Sequence, residues 1–197
     1  MENLQETVER LKSFQGNVKG EVFRTHADYI RSKQGEEGLK TLEERMNQLG
    51  APINFKEVKS FEWVNEGLSS LVLVVAKDTF NWTDEDIIEM GRFATKFSFI
   101  IKVMIQYLVS VEALLKNAAK YWDKHFDFGS LETEYDKENN LVTITEKGDT
   151  PHKLSCLYHK GYFQGLLEFV VKGKEVSVKE IECIHEGGEY NRFLIKW

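Results

Sequence analysis

Apolar residues recur at helical spacing through most of the first two thirds of the chain. Over Glu2–Phe14, Leu4, Val8 and Leu11 fall on one stripe, which Gly16 interrupts. Val22, Phe23, Ala27 and Ile30 form a second apolar face over Glu21–Ser32. The stretch Gly35-Glu36-Glu37-Gly38 predicts a break, after which Leu39, Leu42, Met46 and Leu49 open a third helix that Gly50-Ala51-Pro52 closes. Thr83-Asp84-Glu85-Asp86 reads as a helix start, with a hydroxyl able to cap a free N–H and acidic groups at the positive end of the helix dipole. Ile87, Met90, Ala94, Phe97 and Ile101 then make a buried stripe. Another helix is predicted over about Val111–Lys124, with Leu115, Ala118, Ala119, Trp122 and Phe126 along one side. Segment Glu66–Phe80 is ambiguous: Leu71-Val72-Leu73-Val74-Val75 is strand-like by propensity, yet it lacks alternation and sits between helices. It is assigned as helix.

After Gly129 the period changes from 3.6 to 2. Leu131–Tyr135 and Leu141–Thr145 alternate around Asp136-Lys137-Glu138-Asn139-Asn140 and read as a β-hairpin. A helix follows over about Ser155–Val171, and its Gly161 and Gly165 predict close packing on a sheet. Lys174–His185 reads as a strand. A turn at Glu186-Gly187-Gly188 leads to a last strand, Tyr190–Trp197, with Phe193, Ile195 and Trp197 on one face. The expected class is α+β: an N-terminal helical half followed by β-β-α-β-β with an antiparallel sheet, in one domain over residues 1–197.

Composition narrows the function classes. In 197 residues, 42% hydrophobic with only two prolines and no low-complexity stretch, nothing divides the chain into two domains. The formal charge of −6 carries no basic stripe, which argues against nucleic-acid binding. The polar start of the chain has no apolar signal core, and the runs Leu71–Ala76 and Phe97–Ile101 are far too short to span a membrane. With two cysteines and no export signal, the expected setting is a reducing cytoplasm. Glu36-Glu37, Glu43-Glu44 and Asp84–Asp86 lie on polar faces or helix starts and read as solvated. The stripe of the first helix must be covered either by the chain's own core or by a second copy, so residues 1–19 are a candidate homodimer element.

Three C-terminal stretches carry a family resemblance. They are Tyr121-Trp122-Asp123-Lys124-His125-Phe126-Asp127-Phe128-Gly129-Ser130-Leu131-Glu132; Cys156-Leu157-Tyr158-His159-Lys160-Gly161-Tyr162-Phe163-Gln164-Gly165; and Val178–Cys183 with Gly187-Gly188 and Phe193–Trp197. Together they resemble bacterial proteins of the heme-NO-binding and 4-vinyl-reductase superfamily, specifically over Val111–Trp197 and more loosely before it. The resemblance implies a mixed α/β fold whose helices and sheet enclose a small-molecule pocket, used for gas sensing through heme, for hydrocarbon-type ligands and for vesicle tethering. Heme-binding members hold the propionates with a Tyr-x-Ser-x-Arg motif. The matching positions here are Ser155, Leu157 and His159, so the arginine is lost and heme is not expected. His125 lies where a proximal heme ligand would sit, or where the family places an aromatic residue.

The resemblance also implies cysteines at three places, of which this chain keeps Cys156 and Cys183, with Asn191 at the third. Cys156 and His159 share a helix face, and Cys183 and His185 share a strand face; converging, the four would suit tetrahedral zinc. Against this, both cysteines read equally as small buried hydrophobes, and neither has the orienting partner of a catalytic thiol. Trp63, Trp82 and Trp122 serve either a ligand pocket or plain core. The expected ligand-binding residues are Trp122, His125, Cys156 and His159. The chain is therefore expected to be a non-enzymatic sensor for an apolar or amphipathic ligand, signalling through a partner protein. A heme- or zinc-containing gas or redox sensor is the alternative. No glycine-rich nucleotide loop supports a reductase.

Overall fold

The computed structural model describes residues 3–97 and 110–197. Helix α1 (Leu4–Lys12) is capped by the Asn3 side chain, which accepts from the Gln5 N–H at 3.1 Å. Val8 and Leu11 are fully buried within the chain, packed towards α3 (Glu66–Phe80), and Leu11 lies so close that a Cβ on Gly67 would stand 1.8 Å from its carbonyl oxygen. The expected seam for a second copy is thus already covered, and the argument for a dimer through α1 falls. Strand β1 (Asn17–Lys19) pairs antiparallel with β2 (Trp63–Asn65), a ribbon of three-residue strands too short to show a period in the sequence.

The predicted break at Gly35–Gly38 is a kink rather than a loop. Helix α2 runs over Glu21–Gln48, and Gly35 alone leaves helical geometry, at φ 72° and ψ −176°, a region open essentially to glycine. The ambiguous segment is helical: Leu71, Val72, Leu73, Val75 and Ala76 are all buried, so α3 is surrounded and needs no amphipathic period. Asn65 caps it through Leu68 N–H. Helix α4 (Asp84–Phe97) starts with the expected reciprocal box, since Asp86 N–H donates to Thr83 Oγ1 and Thr83 N–H donates to Asp86 Oδ2. Ile101, assigned to its stripe, lies outside the described residues. Helix α5 spans Val111–His125 and is capped by Ser110.

The C-terminal half is an antiparallel sheet in the order β3-β4-β6-β5, with β3 at Ser130–Asp136, β4 at Leu141–Lys147, β5 at Ser177–Glu182 and β6 at Asn191–Lys196. The strand expected over Lys174–His185 is shorter because the chain turns into a 3₁₀ segment at Ile184–Glu186. Helix α6 (Lys153–Val170) lies between the sheet and α4. Its glycines serve a contact different from the one expected. A Cβ on Gly161 would stand 1.8 Å from the Ile88 carbonyl oxygen, and one on Gly91 would stand 1.9 Å from that of Tyr158. Two glycines therefore let α4 and α6 cross backbone to backbone, helix on helix.

One apolar core fills the helical half and another lies between the sheet, α5 and α6. Phe126 and Tyr162 border both. Asp127 accepts from the backbone and the side chain of Asn17, at 2.6 and 2.7 Å, and so ties the start of the sheet half to β1. Among the described residues, no helix is long and apolar enough to cross a membrane.

Candidate functional site

Where the two cores meet, α5 and α6 flank an apolar cavity. Its walls include Leu114, Tyr121, Trp122 and His125 from α5, and His159, Tyr162 and Phe163 from α6, with Ile144 of β4 and Val22 of α2 closing it. It has the apolar and aromatic lining of a small-molecule pocket. Trp122 stacks on Phe126 with ring centroids 4.2 Å apart, and its Nε1–H is taken by the Phe128 carbonyl at 3.0 Å. Trp122 thus offers the pocket a ring face and no donor.

His125, the last residue of α5, is half-buried, and its Nδ1 lies 2.8 Å from the Tyr121 carbonyl. A carbonyl can only accept, so Nδ1 carries the proton. Burial lowers the His125 pKa, against the raising effect of that backbone hydrogen bond. The neutral ring therefore has its lone pair on Nε2, which is the tautomer of a histidine metal ligand.

His159 has a different environment. It is buried, and its Nδ1 comes within 2.8 Å of Glu146 Oε1, an ion pair when the ring is protonated. Burial opposes its charge, but Glu146, and beyond it Glu66 and Glu180, outweigh burial and raise its pKa. Glu66, also buried, has its pKa raised by desolvation to about 7, with Glu146 adding to the rise while His159, Ser69 and Ser70 oppose it. Glu146 left a trace in the sequence: Val142, Ile144 and Glu146 are the inward positions of β4, so a charge occupies a core position of a clean alternation. Glu66, directly after the Asn65 cap, left none.

Of the four expected ligand-binding residues, Trp122, His125 and His159 line this pocket, whereas Cys156 does not. Cys156 points instead toward Cys183 and Glu180, and the three ligand atoms lie within 4.8 Å of one another. The expected Cys156–His159–Cys183–His185 set is not assembled. His159 turns to Glu146, and His185 sits in the 3₁₀ segment beside a shallow cavity with Arg10 and Phe14, because the strand alternation ends at Cys183. Burial raises the pKa of both cysteines, and Glu146 and Glu180 add to this at Cys156, so both are thiols and poor nucleophiles. Ser155 and His159, four apart, share one side of α6 and Leu157 lies opposite: Ser155 bonds Ser70 at 2.7 Å, and Leu157 packs on the helical core. Leu157, two residues from each of the others, does not share their face, so the three positions do not converge on one group. Trp63 is largely exposed and Trp82 is buried core.

Neither a family model nor the sequence of a curated protein matches this chain. Solved structures do. An H-NOX protein from Shewanella oneidensis in the Fe(II)NO state superposes with a TM-score of 0.71 at 13% identity, covering 90% of this chain and 98% of that one. An oxygen-binding H-NOX domain related to soluble guanylate cyclases, in its oxygen complex, gives 0.65 at 15% identity, covering 90% and 94%. A third structure, in which protein-induced porphyrin distortion modulates heme redox potential, gives 0.65 at 15% identity, covering 91% and 99%. The chain has a heme-NO-binding-like fold. The expectation against heme is corrected here: proteins of this fold hold heme iron with nitric oxide or oxygen, so the missing Tyr-x-Ser-x-Arg motif does not set heme aside.

Proposed function

We propose that this chain is a sensory module that holds heme in the α5–α6 pocket with His125 as the iron ligand, and that it reports a diatomic gas to a partner protein. The observation that carries this reading is the state of His125: neutral, with its Nδ1–H engaged by the Tyr121 carbonyl and its ring on the wall of an aromatic pocket. Heme, when bound, supplies an iron centre that a diatomic gas can ligate. The chain's own residues orient and shield that centre. The Tyr121 carbonyl fixes the imidazole, and Trp122, Phe126 and Phe163 offer ring faces and exclude water. Lys124 and Lys19 lie close enough to disfavour a charge on His125, and such cations can pair propionates.

Purified protein reconstituted with hemin is expected to show a Soret band, and His125→Ala is expected to lose or shift it, with recovery on adding imidazole. A band identical in the variant, or no uptake of hemin, would overturn the assignment. A second reading keeps the pocket and replaces heme with an uncharged apolar ligand. It is favoured by the pocket's described lining, which holds no lysine or arginine. Colourless protein that retains an apolar compound in native mass spectrometry would support this second reading. No catalytic step is assigned to either.

A further inference from the structure

A second, smaller cavity shares Trp122 and His159 with the main pocket and is lined also by Glu66, Glu146, Phe128 and the Gly148–Pro151 turn. It has room for about one water-sized group. Around it, Glu66 Oε2 and Glu146 Oε2 are shielded from solvent without a hydrogen-bond partner, while Glu146 Oε1 and His159 Nδ1 face each other as an ion pair at 2.8 Å. They come from α3, β4 and α6, far apart in sequence. Ser70 Oγ donates a long bond to Glu66 Oε1, at 3.5 Å, and Ser69 also hydrogen-bonds the carboxyl. Unpaired acceptors in a dry site are costly, so this arrangement calls for a donor.

The chemistry of that donor follows from charge and distance. Glu146 is paired with His159 at 2.8 Å, and Lys147 on the cavity wall with Glu132, whereas burial holds Glu66 toward its protonated form, so a bound cation would take the place of that proton. A metal ion is disfavoured, because among the described residues Cys156, Glu180 and Cys183 are the one set of three with ligand atoms all within 4.8 Å of one another, and Glu66, Glu146 and His159 do not form such a set. Ligands at the ~2.0–2.2 Å of a zinc–oxygen bond can stand no more than about 4.4 Å apart. A hydrogen-bonding centre, with ~2.9 Å contacts, reaches acceptors up to about 5.8 Å apart. The rings of Trp122 and Phe128 on the cavity wall add the electron-rich faces that attract an organic or ammonium cation.

We propose that this cavity binds an ammonium group, as the free ion or as the head of a primary amine, with Glu66 and Glu146 as its acceptors and Trp122 beside it. The proposal does not rest on the heme reading, since the two cavities are separate and the test reads neither colour nor gas binding. The experiment is thermal unfolding of the protein as purified, in ammonium, methylammonium, potassium and tetramethylammonium chlorides at equal ionic strength. Ammonium is expected to raise the midpoint saturably by about 2–4 °C, whereas potassium and tetramethylammonium are expected to leave it unchanged. A matching rise in methylammonium would assign the site to amine heads, and a rise in ammonium alone to the free ion. Glu146→Gln and Glu66→Gln should each abolish the rise. If Glu146→Gln does not fold, Glu66→Gln decides. An equal rise in potassium, a rise that survives in Glu66→Gln, or no difference among the four salts would overturn the proposal, the last outcome pointing to a bound water only.

Discussion

Two buried side chains carry costs that depend on pH, with opposite signs. His26 in α2 is 1% exposed, neither ring nitrogen has a hydrogen-bond partner, and its ring meets the edge of Tyr158 at 5.1 Å. Burial lowers its pKa to about 3. Below about pH 6.5 the unfolded chain therefore binds a proton that the folded chain refuses, and stability is lost as pH falls from there toward 3. By pH 5 that loss reaches about 2 kcal/mol. His26→Phe is expected to raise the unfolding midpoint, and to raise it more at pH 5 than at pH 8. An equal gain at both would mean that the histidine is not held neutral. Glu66 is the reverse case. Its folded pKa of about 7 exceeds the unfolded value, so the folded state binds the extra proton and stability falls as pH rises from about 4.5 to 7. Glu66→Gln should flatten that slope in urea titrations, and an unchanged slope would place the titrating group elsewhere. The sequence singled out none of these residues, nor their neighbour Glu146, which lies one position past the predicted strand at an inward place in its alternation. His26 falls on a helix whose neighbours Phe23, Ala27 and Ile30 already explain its burial, so nothing marked it.

At the scale of elements, period was the reliable signal. Helices with one solvated face, such as α1, α4 and α5, and strands with one buried face, such as β4 and β6, were legible because each has a polar side to contrast with the apolar one. Helix α3 was ambiguous for the converse reason, since it is apolar on nearly every side. The crossing of α4 and α6 was half legible. Gly161 announced a close approach, but only the tertiary structure says that the partner is the backbone of α4. A methyl group at Gly161 would meet the Ile88 carbonyl at 1.8 Å, with no flexible side chain to yield. Gly161→Ala is therefore expected to cost at least about 2 kcal/mol in urea unfolding. A variant as stable as the parent would show that the helices can separate freely.

At the scale of the molecule, the sequence pointed to the architecture and to part of the pocket. Trp122, His125 and His159 converge because α5 and α6 each pack on the sheet and flank one cavity, and the resemblance in both helices marked them together. Cys183 and His185 failed to stay together because a strand's alternation holds only while the strand lasts, and a turn of 3₁₀ helix follows at once. Convergence of Glu66 with Glu146 and His159 could not be read from local spacing, since it depends on α3 from the helical half docking against the sheet half.

That docking has a consequence for how the chain reaches its native state. A partly assembled molecule with β4 and α6 in place but α3 absent would leave the Glu146–His159 pair open to water, while α3 docked without them would desolvate Glu66 alone. Each piece stabilises the others' charges only when all three are present, and intermediates containing two of them are penalised. The helical and sheet halves should therefore melt as one cooperative unit. Far-ultraviolet dichroism, dominated by the helices, and the fluorescence of Trp122 at the seam in a variant lacking the other tryptophans are expected to report the same denaturant midpoint. Separate midpoints would show that the two halves fold independently.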